Sequence, residues 1–255
     1  MSTPTIPSIF SAQRRAHRLA RARARMAFPD AARFVADDMI EDTLERLAFL
    51  RHAPSRALVL GDPTSTLAQT IRSGPEAQVD EGADFNLELP YPSSGFDLIV
   101  VLGLLDAVND LPGALIHLRN ALAPGGLVMA HFIGGQSLSA LRDAMIAAEP
   151  ERPAARIHPL VDPRAAPGLL QRAGWKDPVV DTHRLTVRYA TLGRLVADLR
   201  DQGLGNALAH PAAALGKAAL GRARAAFAAR ADADGKTAET FEIITLTGRR
   251  SLAGT

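Results

Sequence analysis

The sequence predicts an α/β protein built on a doubly wound, mostly parallel sheet, and three observations carry that reading. "FDLIVVLGLL" (96–105) is an unbroken apolar run, as a strand buried on both faces of a parallel sheet requires. A helical stretch and a second apolar run, "GLVMAHFIGG" (126–135), follow it, and strand–helix–strand alternation marks a doubly wound sheet. Hydrophobic residues make up 47% and charged residues 22% of the 255, so the chain can bury one sizeable core.

Each element follows from local pattern. "SAQRRAHRLARARARMAF" (11–28) is rich in helix formers and places Arg14, Arg18, Arg21 and Arg25 on one face before Pro29 interrupts it. A second helix (31–52) carries Phe34, Val35, Met39, Leu44, Leu47 and Phe49 at near-helical spacing, and these should pack on the core until Pro54 ends it. "ALVLG" (57–61) is a buried strand, and a modest helix after it stops at Gly74 and Pro75. The helix between the two apolar runs opens at Asp110 with Pro112 in its first turn and closes at Pro124-Gly125-Gly126. Beyond Gly135 come a helix, a proline-dotted connection, a strand at "HRLTVRYA" (183–190), a helix from 191, an alanine-rich helix over 211–233 and a last strand, "TFEIITLTGRR" (240–250). No repeat and no separating linker is present, so the expected organisation is a helical arm (1–53) and one domain (54–255) with a helical insertion at about 190–235.

Several chemistries are excluded. The chain has no cysteine, hence no disulfide, thiolate metal site or cysteine nucleophile, and this fits a reducing compartment. Its seven histidines show no metal-ligand spacing, and His131 lies inside a strand as a core residue would. No nucleophile elbow or Walker loop occurs. No apolar run is long enough to span a bilayer and no secretory signal opens the chain, so a soluble, cytoplasmic protein is expected.

The fragments "FDLIV", "VNDLPGAL", "LRNALAPGG", "GLLQRAGW", "LTVRYA", "DLRDQGLGNAL" and "FEIITLTG", in that order, resemble the class I S-adenosylmethionine-dependent methyltransferase superfamily. More narrowly they resemble the branch of the malonyl-carrier-protein methyltransferase of biotin synthesis and the mitochondrial complex I assembly factor that hydroxylates an arginine, with the C-terminal pieces nearer the second. The resemblance implies a Rossmann-like fold of seven strands with an antiparallel C-terminal edge, and S-adenosylmethionine as cofactor.

The expected cofactor motif is degenerate. The resemblance calls for an acidic residue and then Gly-x-Gly-x-Gly, but the chain reads Val59-Leu60-Gly61-Asp62-Pro63-Thr64-Ser65. Only the first glycine remains, and Pro63 fixes its own φ and lacks an N–H. The segment from Gly61 to Leu89 is short for the strand, helix and strand of the family, so shortening around the second strand and its helix is expected. The cofactor candidates are Gly61, Asp62, Asp80, Asp84, Asn86, Leu102 and Gly103; for the acids among them a role as solvated loop charges is the plainer alternative. Where the family tends to carry His-Trp, this chain has Asp106-Ala107. Gly134 and Gly135 suit a strand-to-helix turn. Arg188, Tyr189, Arg200 and Asn206 match the family pattern and are the substrate or partner candidates, with pairing of the arginines to Asp181 or Asp198 as the structural alternative. No catalytic residue and no metal site are assigned.

Arg14, Arg15, Arg18, Arg21, Arg23 and Arg25 precede the first acidic residue, Asp30, although the net charge is only +2. Without interleaved aromatics the arm does not suit nucleic acid, and its alanine-rich apolar side is too weak for membrane insertion. The expectation is a helix over the cofactor edge with its arginines in solvent, touching an acidic protein or carrier-protein partner. Two functions follow: an S-adenosylmethionine-dependent enzyme on a protein or carrier-bound substrate, or a non-catalytic binding or assembly module on the same fold, with the damaged motif arguing against cofactor binding.

Overall fold

The computed structural model describes residues 8–82 and 85–252. Six strands form one sheet: β1 (Arg56–Leu60), β2 (Gln78–Gly82), β3 (Phe96–Leu102), β4 (Leu122–Gly134), β5 (Lys176–Tyr189) and β6 (Thr237–Arg249), in the order β2-β1-β3-β4-β6-β5. The first four are parallel, while β6 runs antiparallel to both β4 and β5. The mixed sheet with an antiparallel C-terminal edge is therefore as the sequence led one to expect. The strand count is corrected from seven to six. Between Gly82 and Phe96 the described residues hold no further strand, because Pro90, Pro92 and Gly95 punctuate a stretch too short for another helix and strand. The shortening leaves β2, only five residues long, as the edge, and its Asp80 and Glu81 blunt that edge with charge.

Helices α1 (Ala12–Arg25), α2 (Phe34–Leu50), α3 (Thr66–Arg72), α4 (Leu111–Ala121), α5 (Ser139–Ala148), α6 (Ala166–Arg172), α7 (Leu192–Asp201) and α8 (Lys217–Ala228) flank the sheet. Alternate residues of the central strands feed two cores. Val59, Val100 and Met129 pack beneath α2, α5, α7 and α8, whereas Leu60, Val101 and Val128 pack beneath α4 and α6. Phe49, expected in the core, is 87% exposed: it lies two positions past buried Leu47, which turns it about 200° round the helix. The alanine-rich helix is shorter than composition suggests, since the chain becomes helical only after Gly216, well beyond Pro211. β5 is longer, starting at Lys176, because β6 offers it pairing partners as far as Arg249 across a bulge.

His131 is a core residue. Its Nε2 lies 2.9 Å from the Thr43 hydroxyl and its Nδ1 3.1 Å from that of Thr245. Burial pushes its pKa down to about 4 against the opposing pull of Asp42. No helix among the described residues is long and apolar enough to cross a membrane.

Candidate functional site

The carboxyl ends of β1 and β3 meet at Gly61 and Leu102-Gly103, where ligands of open α/β sheets bind. Gly61 (φ 84°) allows strand packing: a Cβ there would stand 2.0 Å from the Leu102 carbonyl oxygen. Asp62 is turned to internal use. Its buried carboxylate accepts hydrogen bonds from Thr64 N (3.0 Å), Thr64 Oγ1 (3.0 Å) and Leu67 N (2.8 Å), so it occupies the α3 N-terminus that would otherwise favour an external anion. Gly103 takes φ 66° with open space beside its Cα.

Among the described residues, the groups expected to hold the cofactor's ribose and adenine are otherwise engaged or turned to solvent. Asp80 is exposed on β2, and the neighbouring Glu81 is ion-paired with Arg72. Asp84 lies outside the described residues. Asn86 Oδ1 accepts from Arg15 Nη2 (3.2 Å) and from Glu88 N (3.2 Å). The cavity that remains at the Gly61–Gly103 edge is about 50 Å³, closed by Leu19 of α1, Met26 just after it, Met39 of α2 and Pro63. Small-molecule sites usually offer about 300–1,000 Å³. This void by itself is too small for S-adenosylmethionine, while a neighbouring cavity of about 330 Å³, sharing Leu19 with it, is lined by Arg15, Arg18, Asn86, Leu87 and Leu104.

The arm produces that closure, and here the expectation of solvent-facing arginines is corrected. Arg15 and Arg18 are buried; Arg14, Arg21 and Arg23 face solvent. The inward stripe is Arg15, Arg18, Ala22 and Arg25, offset from the face proposed from spacing alone. Arg15 Nη1 donates to the Ala107 carbonyl (2.9 Å) and to Glu88 (3.0 Å). Arg18 donates to Gly205 O (2.9 Å) and to both oxygens of Asp106 (2.8 and 2.9 Å). Arg25 Nε reaches Asp201 at 2.9 Å. Phe10 starts the arm by exchanging hydrogen bonds with the Asn109 side chain. A run of arginines reads as a solvated face only while its acidic partners, scattered from 88 to 201, are invisible.

Asp106 and His158 were not singled out as site residues in the sequence. Asp106 is fully buried in the turn after β3; burial pushes its carboxyl up, but the Arg18 guanidinium and His158 outweigh this and hold it below the usual carboxylate range. His158 Nε2 stands 3.6 Å from Asp106, longer than a hydrogen bond, and neither ring nitrogen has a hydrogen-bond partner. The signal available was an aspartate placed directly after an apolar strand.

His158 and Asp106 line a second cavity, of about 290 Å³, at the carboxyl end of β4. Arg200 and Asn206, two of the substrate candidates, are brought together there. Asn206 is engaged structurally, donating to Arg156 O (2.9 Å) and accepting from Leu208 N (2.8 Å). Arg200 is exposed and makes no ion pair or side-chain hydrogen bond among the described residues. The other two candidates lie elsewhere. Arg188 pairs with Asp232 and Asp234, not with Asp181 or Asp198, which are held by Arg46 and Arg194. Tyr189 is buried in the core with its hydroxyl unpaired, and burial pushes the phenol pKa up. Among the described residues no cluster of three or more His, Asp or Glu could hold a metal ion.

The fold and the site edge define a methyltransferase-type α/β protein. The chain belongs to the methyltransferase domain family, whose model matches residues 47–179. It is 33% identical over 158 residues to a malonyl-(acyl-carrier protein) O-methyltransferase of Halorhodospira halophila, covering 61% of this chain and 52% of that protein. It is 34% identical over 170 residues to the mitochondrial arginine-hydroxylase NDUFAF5 of Rattus norvegicus, covering 63% of this chain and 48% of that one. The chain thus spans about half the length of each of these relatives. Among solved structures, a putative methyltransferase of Bacillus halodurans matches with a TM-score of 0.48 and 11% identity, over 77% of this chain and 92% of that one.

Proposed function

We propose that this chain is a methyltransferase-fold binding protein of the assembly-factor kind, of the type that serves respiratory complex I maturation, and that it acts without S-adenosylmethionine at the family's usual site. The observation that carries the reading is the cavity of about 50 Å³ at the carboxyl ends of β1 and β3, filled by the chain's own arm. The self-capped Asp62 and the paired Glu81 support it from two further sides. The exposed arginines of α1, Arg14, Arg21 and Arg23, are the surface offered to an acidic protein or carrier-protein partner.

The enzyme reading, transfer of a methyl group to or hydroxylation of a protein or carrier-bound substrate, is favoured by the relatives named above and by the free Arg200 at a cavity of about 290 Å³. Titration with S-adenosylmethionine and S-adenosylhomocysteine, read by calorimetry and thermal denaturation, separates the two. A ligand present at about 100 times its dissociation constant stabilises a fold by about 2.7 kcal/mol. Our reading expects no such shift at millimolar cofactor; a saturable shift at tens of micromolar would give the enzyme reading precedence.

A further inference from the structure

We infer that the cavity at the carboxyl end of β4 and the cationic cleft beside it form one binding site for a single-chain amphiphile with an anionic head, of the fatty-acid class. This rests on the binding-protein reading above and names what the protein binds at a different place from the closed cofactor edge.

The inner part is apolar. Leu141 and Met145 of α5, Ile157 and Leu160 of the following connection, and Val196 and Leu199 of α7 surround about 290 Å³ at the end of the sheet. Hydrophobic walls with a few convergent polar groups are what small-molecule sites present. His158, 5% exposed, also lines the cavity, with its Nε2 turned to the Asp106 carboxylate at 3.6 Å, so the apolar walls are left to the alkyl chain.

The outer part is positively charged. A cleft of about 370 Å³ between α1 and the end of α7 is lined by Arg14, His17, Arg18, Arg21 and Arg200, with no acidic residue in its wall. Asp106 neutralises Arg18 from within. Arg14, Arg21 and Arg200 have no ion pair among the described residues, so three guanidinium groups converge uncompensated. Cleft and inner cavity adjoin, sharing Arg200, Gly205 and Asn206 as a common wall. An apolar chain in the inner cavity therefore places its head beside Arg200. Guanidinium groups bind carboxylate and phosphate alike through paired N–H donors, so the shared chemistry is an anionic head and the head's identity is left to the test.

The test uses the full chain and calorimetric titration below the probes' micelle concentrations. The probes are decanoate, decyl phosphate, methyl decanoate and acetate. We expect saturable one-to-one binding of decanoate or decyl phosphate, whichever is tighter marking the head preferred. The neutral ester should bind at least about tenfold more weakly, the loss of one charge-assisted contact, and acetate should not bind measurably. Arg200→Glu, at an exposed position that spares the fold, should abolish anion binding. Val196→Trp should block the chain end; should that variant not fold, Met145→Trp narrows the same cavity from α5. Equal binding of ester and acid, no binding of either anion, or binding that survives both Arg200→Glu and the tryptophan variant would overturn the inference. The same protein titrated with S-adenosylmethionine reads the earlier proposal separately: cofactor binding with decanoate binding overturns the first and leaves this one standing.

Discussion

The guanidinium of Arg18 grips both carboxylate oxygens of Asp106, at 2.8 and 2.9 Å, and so ties α1 to the turn that follows β3. Both side chains are nearly inaccessible, at 9% and 3% exposure. A buried ion pair contributes little over a well-packed apolar pair, but removing one partner strands a charge. Arg18→Ala or Asp106→Ala should therefore cost about 3–5 kcal/mol, whereas Arg18→Met with Asp106→Leu should recover most of that loss. Urea denaturation of the three variants reads both outcomes; single and double variants of equal stability would mean the arm is not anchored by this pair.

His131 sets a pH dependence. An unfolded histidine titrates near 6.5, while burial holds the folded one at about 4. Between those values the unfolded chain carries the extra proton, so stability from this residue is complete above pH about 6.5 and declines as the pH falls towards 4. The loss should reach about 3 kcal/mol. Denaturation midpoints measured from neutral to mildly acidic pH should fall more steeply for the wild type than for His131→Gln, which has no such proton to exchange.

Arg51 ends α2 in the left-handed conformation, with φ 50°, and the His52 N–H closes on the Leu47 carbonyl at 3.0 Å. Glycine is the residue suited to that position, since a side chain there is crowded against the following carbonyl. Arg51 is exposed, so Arg51→Gly should raise stability by about 1 kcal/mol, seen as a melting point a few degrees higher. An unchanged or lower melting point would show that the arginine makes up the strain elsewhere.

Restoring the missing glycines should not restore the cofactor. Pro63→Gly with Ser65→Gly recreates the spacing after Gly61, yet Leu19, Met26 and Met39 still close the cavity and Asp62 still caps α3. Calorimetry of that double variant with S-adenosylmethionine should show no micromolar binding. If it did bind, the glycine loop alone would be the barrier and the arm would not.

The central strands were legible because burial on both faces writes a continuous apolar run into the chain, and "FDLIVVL" and "GLVMAHFIG" pair in parallel as that pattern requires. The caps were legible for a similar reason. Asp110 accepts from Gly113 N at 2.9 Å, a relation contained within four residues. The degeneracy of the cofactor loop could also be read directly, since a glycine's absence needs no tertiary information. Helix α8 and β5 were misjudged at their ends because pairing with β6 and the helix start at Gly216, rather than composition, set them.

What the sequence determined by itself is thus the α/β class, the order of its central strands and the loss of the glycine loop, all properties of neighbours along the chain. The tertiary structure alone decided which arginines of the arm lie inside. Arg15 meets Glu88 and Asn86, Arg18 meets Asp106, and Arg25 meets Asp201, partners far apart in sequence that only folding gathers. It also decided that Asp62 serves α3 and that His158 faces an apolar cavity beside Arg200. A side chain's local pattern states what it can do; the groups brought against it in three dimensions select which of those things it does.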